Sequence, residues 1–220
     1  MELDIHIRKT LRSGRRTFHL DIRFHTHSQR VVIFGPSGAG KSLTLKAIAG
    51  LLTPDDGFIR LGPTCFFDSE AGVELSPQAR RVAYLFQDYA LFPHLTVRQN
   101  VGFGLFGGWF NPPANRRIAA VDYWLDAFHL GALAHQYPDQ LSGGQRQRTA
   151  IARALVAEPQ ALLLDEPFAA LDPALRMQMR SELDELQRRL GVPMILITHD
   201  EDDAKTFGEV LVCMRDGTIA

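Results

Sequence analysis

The sequence predicts an α/β fold: a parallel β-sheet core with an antiparallel β part at its N-terminal side and a helical insertion. A wholly apolar run at residues 31–34 is followed by glycine and then by a helical segment. Two further apolar runs, at 161–164 and 193–198, lie on either side of a long helical pattern. Continuous apolar runs separated by helices are typical of strands buried on both faces of a parallel sheet. We therefore expect these three runs to form the centre of the sheet.

The elements around this centre follow from periodicity. Apolar and polar side chains alternate over residues 18–24, which indicates a half-buried strand in the N-terminal part. Residues 42–52 have helical character and stop near a proline. Two more helices are predicted, over 145–157 and around 173–190.

Between residues 88 and 140 the chain changes character, and we expect a mostly helical insertion there. A glycine-rich and aromatic stretch at 102–110 precedes a Pro-Pro break at Pro112 and Pro113 and an amphipathic run at 118–134. The aromatic residues fit equally well in the core of this insertion or in a docking groove for another subunit. They are Phe103, Phe106, Trp109 and Phe110.

Composition allows one domain, or a domain with a subdomain, and identifies no partner. The chain has 220 residues, 45% of them hydrophobic, which is enough for one large core. Lys and Arg number 24 against 25 Asp and Glu, so we expect no nucleic-acid partner. Nothing near the N-terminus resembles a secretory signal, and no stretch approaches the ~18–20 apolar residues of a membrane-spanning helix. A membrane role would therefore come from a partner.

A phosphate-binding loop is predicted at residues 35–42, which read G-P-S-G-A-G-K-S and complete the G-x-x-x-x-G-K-[ST] pattern. The glycines leave backbone N–H groups free to converge on phosphate oxygens, and the following helix directs its positive end at the same place. Lys41 is expected to contact the outer phosphates, and Ser42 to bind magnesium through its hydroxyl. The loop comprises Gly35, Pro36, Ser37, Gly38, Ala39, Gly40, Lys41 and Ser42.

Two further segments carry chemistry that goes with this loop. Asp165 and Glu166 follow three leucines, at the carboxyl end of a buried strand, where open α/β sheets bind ligands. Asp165 is expected opposite Ser42 and bound to magnesium through water. Ser142 and two glycines precede a predicted helix, whose N-terminus can bind a second anion; taken alone, these residues favour an ordinary serine-capped helix.

The order of these motifs, with Leu-Ser-Gly-Gly-Gln at 141–145 between the loop and the acidic pair, resembles an ABC-type ATPase. The resemblance covers essentially the whole chain. It implies a RecA-like phosphate-loop NTPase core at about 1–87 and 155–220 and a helical signature subdomain at about 88–154, within a single 1–220 domain. It also implies ATP and Mg²⁺, with Glu166 as general base or water-positioning residue.

The same resemblance implies that two copies close head to tail around two ATP molecules. The residues that would reach the partner's nucleotide are Ser142, Gly143, Gly144, Gln145 and Asp172.

Three smaller matches complete the family pattern. Gln87 corresponds to the glutamine that contacts magnesium and water and connects the core to the insertion. Asp172 corresponds to the loop that crosses the dimer interface, although Ala170 replaces the small polar residue often found there. His199 corresponds to the histidine that contacts the terminal phosphate.

The stretch at 76–100 is similar to importer ATPases for oxyanions, sugars and polyamines, and residues 68–75 with Arg80 and Arg81 are most similar to the ATPase of molybdate importers. This implies two transmembrane permease subunits, a solute-binding protein that acts indirectly, and a peripheral position on the cytoplasmic face of the inner membrane. Another importer solute (sulfate, polyamine, sugar or iron), a soluble non-transport ABC ATPase and a phosphate-loop kinase remain as alternatives.

The chain departs from the family in two ways. Leu11 and Arg12 lie where many ABC ATPases stack adenine on an aromatic side chain, and the nearest aromatic, Phe18, is expected to pack in the core. Adenine would then rest on aliphatic or guanidinium surface. Many importer ATPases also carry a β-rich regulatory domain, and no regulatory site is predicted within these residues.

The remaining conspicuous residues have simple interpretations. Cys65 and Cys213 are far apart and are expected to be reduced and buried in strands. His25 and His27 are expected on an exposed strand face near His19, with a metal site as the alternative. The acidic run at 200–203 is expected to open a helix, with a second magnesium site as the alternative.

Overall fold

The computed structural model describes residues 1–14, 16–106, 111–112 and 117–220. Within these residues the chain forms eleven strands and six α-helices. The strands are β1 (Leu3–Ser13), β2 (Arg16–Thr26), β3 (Arg30–Phe34), β4 (Asp56–Leu61), β5 (Thr64–Asp68), β6 (Val73–Glu74), β7 (Val82–Leu85), β8 (Ala161–Asp165), β9 (Met194–Thr198), β10 (Val210–Arg215) and β11 (Thr218–Ile219). The helices are α1 (Lys41–Ala49), α2 (Val97–Gly102), α3 (Ala119–Ala127), α4 (Gly143–Leu155), α5 (Pro173–Leu190) and α6 (Glu201–Phe207).

The N-terminal part is an antiparallel sheet in the order β2-β1-β4-β5-β6. Strand β2 buries Leu20 and Ile22 on one face and exposes the residues between them, as its alternation predicts. The sequence analysis missed β1, which buries Leu3, Ile5 and Ile7 on the same inner face. The charged residues between these apolar positions belong to the outer face of the strand.

The second sheet has the order β11-β10-β3-β9-β8-β7, and its strands are parallel except for the β10–β11 hairpin. Every residue of β8 and β9 is buried. In β3 the first four residues are buried, and the last, Phe34, is half-buried. This confirms the three central strands that the apolar runs predict. Because consecutive strands run the same way, their carboxyl ends meet at one edge, where the candidate site lies.

The parallel sheet separates two hydrophobic cores. One core fills the space between the two sheets and includes α1 through Leu45 and Ile48. The other covers the opposite face with α4, α5 and α6, and it continues into α2 and α3, where Trp124 and Leu125 are buried. Between 88 and 140 the described residues contain α2, α3 and three short 3₁₀ turns joined by irregular segments, so the predicted helical insertion is confirmed, although its helices are short.

Several boundaries differ from the predicted ones. Helix α4 begins at Gly143, two residues before the predicted start, because Ser142 caps it. Helix α1 ends at Ala49 because Gly50 adopts a left-handed conformation with φ +79° and closes the last turn. The amphipathic run at 118–134 divides into α3 and a short 3₁₀ turn at Gly131–Leu133.

The prediction that both cysteines are buried is wrong. Cys65 is half-buried, and Cys213 is exposed on β10. The strand alternates, so Val212 and Met214 face the core while Leu211 and Cys213 face outward. Trp109, Phe110 and Pro113 lie outside the described residues, so the predictions for them are not resolved.

No helix in the described parts of the chain has both the length and the apolar character needed to cross a bilayer.

Candidate active site

A cavity of about 460 Å³ opens where the loop between β3 and α1 faces the ends of β7 and β8. Its lining brings together residues that are distant in sequence. They include Ser37, Gly38, Gly40, Lys41, Ser42, Gln87 and Glu166, together with Leu11 and Phe18 from the antiparallel sheet.

The loop at 35–42 is held open by its glycines. Gly38 and Gly40 have φ values of +82° and +98°, a region that glycine adopts without strain. A Cβ on Gly35 would lie 2.2 Å from the backbone oxygen of Met214 on β10, so glycine is required for the loop to pack against the sheet. No side chain caps α1, and its N-terminal N–H groups point into the loop, where an anion can bind.

Lys41 places a buried ammonium group inside this loop. Its Nζ donates to the carbonyl oxygens of Gly35 and Pro36 at 2.8 and 3.0 Å. The Oε1 atom of Glu166 lies 3.6 Å from the same nitrogen. The lysine is therefore poised between the loop backbone and the acidic strand end.

Asp165 is buried at the end of β8, with a hydroxyl donor on each carboxylate oxygen. The Ser42 hydroxyl donates to Oδ1 at 3.0 Å, as expected for a residue opposite that serine. The Tyr84 phenol donates to Oδ2 at 2.7 Å. Burial, together with this hydrogen bond and the carboxylate charge, raises the pKa of Tyr84, so the phenol keeps its proton at neutral pH.

Sequence reasoning missed Tyr84. The available signal was a side chain with a polar tip inside the short apolar strand β7, which pairs with β8 in parallel.

Glu166 has an unusual backbone conformation, with φ +45°. Its N–H donates to the Ile197 carbonyl of β9 at 3.1 Å. Its carboxylate oxygens face two cations or potential cations: Lys41 on one side, and the Nδ1 atom of His199 at 3.1 Å on the other. Non-glycine residues with positive φ are strained and concentrate at functional sites, so the fold holds this carboxylate in place at an energetic cost.

The structure brings Gln87 to the cavity from the segment that follows β7. His199 reaches Glu166 from the segment that follows β9. Three parallel strands thus deliver Gln87, Glu166 and His199 to one edge.

The residues expected to act in trans lie elsewhere. Among the described residues that line the cavity, none comes from α4 or from the Asp172 turn. Ser142 is exposed and forms a capping box: its hydroxyl accepts from Gln145 N–H at 3.3 Å, and the Gln145 side chain accepts from Ser142 N–H at 2.8 Å. Asp172 is exposed and caps α5 by accepting from Leu175 N–H at 3.1 Å.

The acidic run at 200–203 opens α6, as predicted. Asp200 accepts from the N–H groups of Asp202 and Asp203, and Arg180 pairs with Asp200 and Asp203. Burial raises the pKa of Asp203 in spite of the nearby Arg180 guanidinium. Because arginines and backbone N–H groups occupy these carboxylates, the geometry does not favour the alternative of a second magnesium site.

The exposure expected for His25 and His27 is confirmed. His25 lies near the end of β2 and His27 just after it; both are exposed, and their ring centroids are 4.7 Å apart. Glu2 joins them, and the three groups offer ligand atoms within 4.8 Å of one another, all on exposed side chains.

Phe18 has a double environment. It is half-buried against the core between the sheets, as predicted, and it also lines the cavity beside its cross-strand partner Leu11.

A second, larger cavity of about 650 Å³ lies between β7 and α4; we call it the lateral groove. Its lining includes Tyr84, Phe86, Phe92 and Phe103, and the rings of Phe92 and Phe103 are 4.2 Å apart. Arg153 spans it, donating to the carbonyl oxygens of Tyr89 and Ala90, both at 2.7 Å. Phe103 therefore belongs to a groove wall.

The chain matches a model of the ABC transporter family over residues 20–169. Its relatives include the molybdenum import ATP-binding protein ModC of Mycobacterium tuberculosis, 46% identical over 204 residues, which cover 91% of this chain and 55% of that protein. They also include the Fe(3+) ions import ATP-binding protein FbpC of Brucella abortus, 44% identical over 190 residues, which cover 86% of this chain and 52% of that protein. The chain spans about half the length of these relatives.

Solved structures agree with this relation. The dimeric structure of MJ0796, a bacterial ABC transporter cassette, superposes with a TM-score of 0.80 at 30% identity, covering 99% of this chain and 96% of that one. A dimeric post-hydrolysis state of MJ0796 bound to ADP and Pi superposes equally well, with a TM-score of 0.80. The predicted ABC-type fold and resemblance are confirmed, and the chain belongs to the ABC transporter family as an ATP-binding cassette.

Proposed function

We propose that this chain is the ATP-hydrolysing subunit of an importer and that it powers uptake of an oxyanion, molybdate being the best candidate. The observation that carries the proposal is the convergence of Lys41, Ser42, Gln87 and Glu166 on one cavity, with Asp165 bonded to Ser42 beside it. A phosphate-binding loop facing a carboxylate pair is the arrangement that phosphoryl transfer to water requires.

In this proposal the loop N–H groups, the N-terminus of α1 and Lys41 bind the triphosphate of ATP. The donor set near Ser42 fits Mg²⁺, because it consists of hydroxyl, carboxylate and amide oxygens, which are hard ligands. Ser42 and Gln87 would hold the ion directly, and Asp165 through water. When bound, Mg²⁺ neutralises charge on the phosphate oxygens.

Glu166 is the proposed general base. Its carboxylate accepts a proton from water as the water oxygen bonds to the terminal phosphorus, and the bond from that phosphorus to the bridging oxygen breaks to leave ADP and phosphate. His199 contacts this carboxylate at 3.1 Å and would hold it in orientation while touching the terminal phosphate.

The proposed active form is a head-to-tail dimer. Ser142, Gly143, Gly144, Gln145 and Asp172 do not line the cavity of their own copy, and Ser142 and Asp172 are exposed. These observations support a role for this set in covering the nucleotide of a second copy. The dimers named in the titles of the MJ0796 structures are consistent with it.

The lateral groove of each copy is the proposed dock for one of two transmembrane permease subunits, since it presents aromatic side chains beside the Gln87 segment. The chain would then be peripheral on the cytoplasmic face of the membrane, and a solute-binding protein would act through the permease. We propose that about 1–87 and 155–220 form the nucleotide-binding core and that about 88–154 form the signature subdomain, which move relative to each other on closure.

The choice of molybdate is supported by the local similarity at 68–75 and by relatives named as molybdenum importers. Relatives of comparable identity are named for other cargo: FbpC for Fe(3+), and the spermidine/putrescine import protein PotA of Nitratidesulfovibrio vulgaris, which is 45% identical over 200 residues, 91% of this chain and 51% of that protein. Other importer solutes are therefore the second candidate.

The test is to capture the tagged chain from gently solubilised native membranes, identify co-purifying proteins, and measure ATP turnover with molybdate and its binding protein. A co-purifying permease with molybdate-dependent stimulation is the expected result. Stimulation by another solute alone would replace the cargo, and a chain that hydrolyses ATP with no membrane partner would replace the importer with a soluble ATPase.

A further inference from the structure

We infer that Tyr84 is a positioning residue for the magnesium end of the site: its phenol fixes the Asp165 carboxylate, and its ring links that carboxylate to the lateral groove. The inference rests on the proposed function, in which Asp165 holds Mg²⁺ through water.

The Asp165 carboxylate is held by hydrogen bonds from two different elements of the fold. The side chain is only 7% exposed, and its two oxygens accept one hydroxyl each, from Ser42 on α1 and from Tyr84 on β7. A carboxylate that accepts two donors from different elements has its plane fixed by both. The Tyr84 bond, at 2.7 Å, is the shorter of the two.

The second step concerns what each hydroxyl can do when the ion is bound. A serine oxygen has two lone pairs, so Ser42 can ligate a cation while still donating its proton to Asp165. Tyr84 does not line the cavity that contains Ser42 and Gln87, so it is not placed to be a ligand. Its bond to Oδ2 orients the carboxylate, while Oδ1 stays bonded to Ser42.

The third step concerns the ring of Tyr84. It lines the lateral groove, and its centroid lies 4.5 Å from that of Phe86. One side chain therefore touches both the groove and the Asp165 carboxylate. A segment that enters the groove and shifts this ring also shifts the donor on Asp165.

The test measures divalent-ion binding directly, using Mn²⁺ and electron paramagnetic resonance on the full chain with a non-hydrolysable ATP analogue. Tyr84→Phe keeps the ring and removes only the hydroxyl, and we expect Mn²⁺ affinity to fall roughly tenfold, as for the loss of one hydrogen bond to a charged acceptor. Affinity for the same analogue in EDTA should stay within twofold of wild type, because the lost bond acts on the ion.

The matched control is Tyr89→Phe. Tyr89 is buried, and its hydroxyl has no hydrogen-bond partner among the described residues, so its removal should leave Mn²⁺ affinity within twofold. Asp165→Asn tests the underlying assignment and should weaken Mn²⁺ binding more than Tyr84→Phe does.

The outcomes separate the two claims. A loss in Asp165→Asn with Tyr84→Phe unchanged overturns the role of Tyr84 and leaves the proposed site intact. An unchanged Asp165→Asn overturns the metal assignment itself. An equal loss for Tyr84→Phe in EDTA shows a structural effect on nucleotide binding and also overturns the inference.

Discussion

The N-termini of α1 and α4 are both predicted to bind phosphate, yet they are built in opposite ways. At α1 the preceding residue is Gly40, which is left-handed and provides no side-chain cap. At α4 the preceding residue is Ser142, which closes a reciprocal capping box with Gln145. The first N–H groups of α1 have no side-chain acceptor and are available to a ligand. At α4 the Ser142 hydroxyl already accepts from one of the first N–H groups.

This contrast would allow one chain to use two anion sites at different times. The open end of α1 has Lys41 and the acidic pair beside it, so it is equipped to bind nucleotide in a single copy. The closed end of α4 lies on an exposed surface away from the cavity, so an anion there competes with the cap and needs further contacts from a second copy. We therefore expect nucleotide to bind first at α1 and α4 to engage only on dimerisation.

We expect the largest loss of ATP turnover from a substitution that removes the proposed base and leaves the N-termini of α1 and α4 unchanged. Glu166→Gln keeps the side-chain size and removes the proposed base, so turnover should fall about 10²–10⁴-fold. The two ends should then remain closed on ATP, giving a stable dimer on size-exclusion chromatography with ATP and Mg²⁺.

Glu158→Gln is the matched control, since Glu158 is also a non-glycine residue at positive φ but is exposed outside the cavity. Equal turnover in Glu166→Gln and wild type would remove Glu166 from the mechanism.

A smaller effect, on ATP affinity, tests nucleotide binding at the N-terminus of α1. Lys41→Ala removes the ammonium group inside the loop, and ATP affinity should fall about 10–100-fold, the range for a charge-assisted contact. A titration with fluorescent ATP at low protein concentration, where the chain is monomeric, measures it. Lys46→Ala, in the last turn of the same helix, is the control for charge and should change affinity little. Unchanged affinity in Lys41→Ala would mean that the loop binds without its lysine.

At the N-terminus of α4, two substitutions of Ser142 separate its role as a helix cap from its proposed role in binding the partner's nucleotide. Ser142→Ala loses the cap and should lower the free energy of unfolding by about 1 kcal/mol without changing ATP affinity of the monomer. Ser142→Asp keeps a capping side chain but adds a negative charge where the partner's phosphate is expected. Urea unfolding should therefore rank Ser142→Asp above Ser142→Ala in stability.

ATP-dependent dimerisation in the Glu166→Gln background should show the reverse order for the two Ser142 variants. If Ser142→Asp dimerises as well as the parent, the second anion site does not exist.

The smallest expected change in stability concerns the N-terminus of α6, where the carboxylate of Asp200 occupies the position that an anion would take at α1 or α4. The pKa of Asp200 is below its ordinary value: burial opposes this, but the N–H groups of Asp203 and Asp202, the charge of Arg180 and the hydrogen bond from Arg176 outweigh it. A lowered folded-state pKa gives stability above about pH 3.8 that is lost as pH falls through the folded value.

Asp200→Asn should therefore lower the free energy of unfolding by less than about 1 kcal/mol at pH 7, and the deficit should shrink below pH 3.8. Urea midpoints at pH 7 and at a pH below 3.8, with the exposed Asp216→Asn as control, show whether the stability deficit of Asp200→Asn shrinks in acid. A deficit that grows in acid contradicts it.

The parts of the fold that could be predicted are those where local pattern and tertiary environment agree. Strands β3, β8 and β9 each contain a continuous apolar run, and these runs are buried except at Phe34, which is half-buried. Strand β1 was missed because its apolar alternation covers only Leu3, Ile5 and Ile7 and then gives way to charged residues. The exposure of Cys213 depends on which face of β10 the rest of the chain covers. Pattern alone does not contain that information.

The candidate site shows the same division. Motif spacing predicts Lys41, Ser42 and Asp165, and the structure places the latter two in contact at 3.0 Å. Tyr84 belongs to no motif, and its role depends on the parallel register that sets β7 beside β8. The exposed positions of Ser142 and Asp172 follow from packing, and their proposed function requires a second copy.

The positive φ of Glu166 has a consequence for how this protein can evolve. Glycine would adopt that backbone conformation without strain, and relief of strain in such a region is worth roughly 1–3 kcal/mol, less the entropy that glycine loses on folding. A population selected only for heat resistance would thus be drawn toward glycine at this position and would lose the carboxylate. Persistence of glutamate there under such selection would be a sign that the organism depends on turnover.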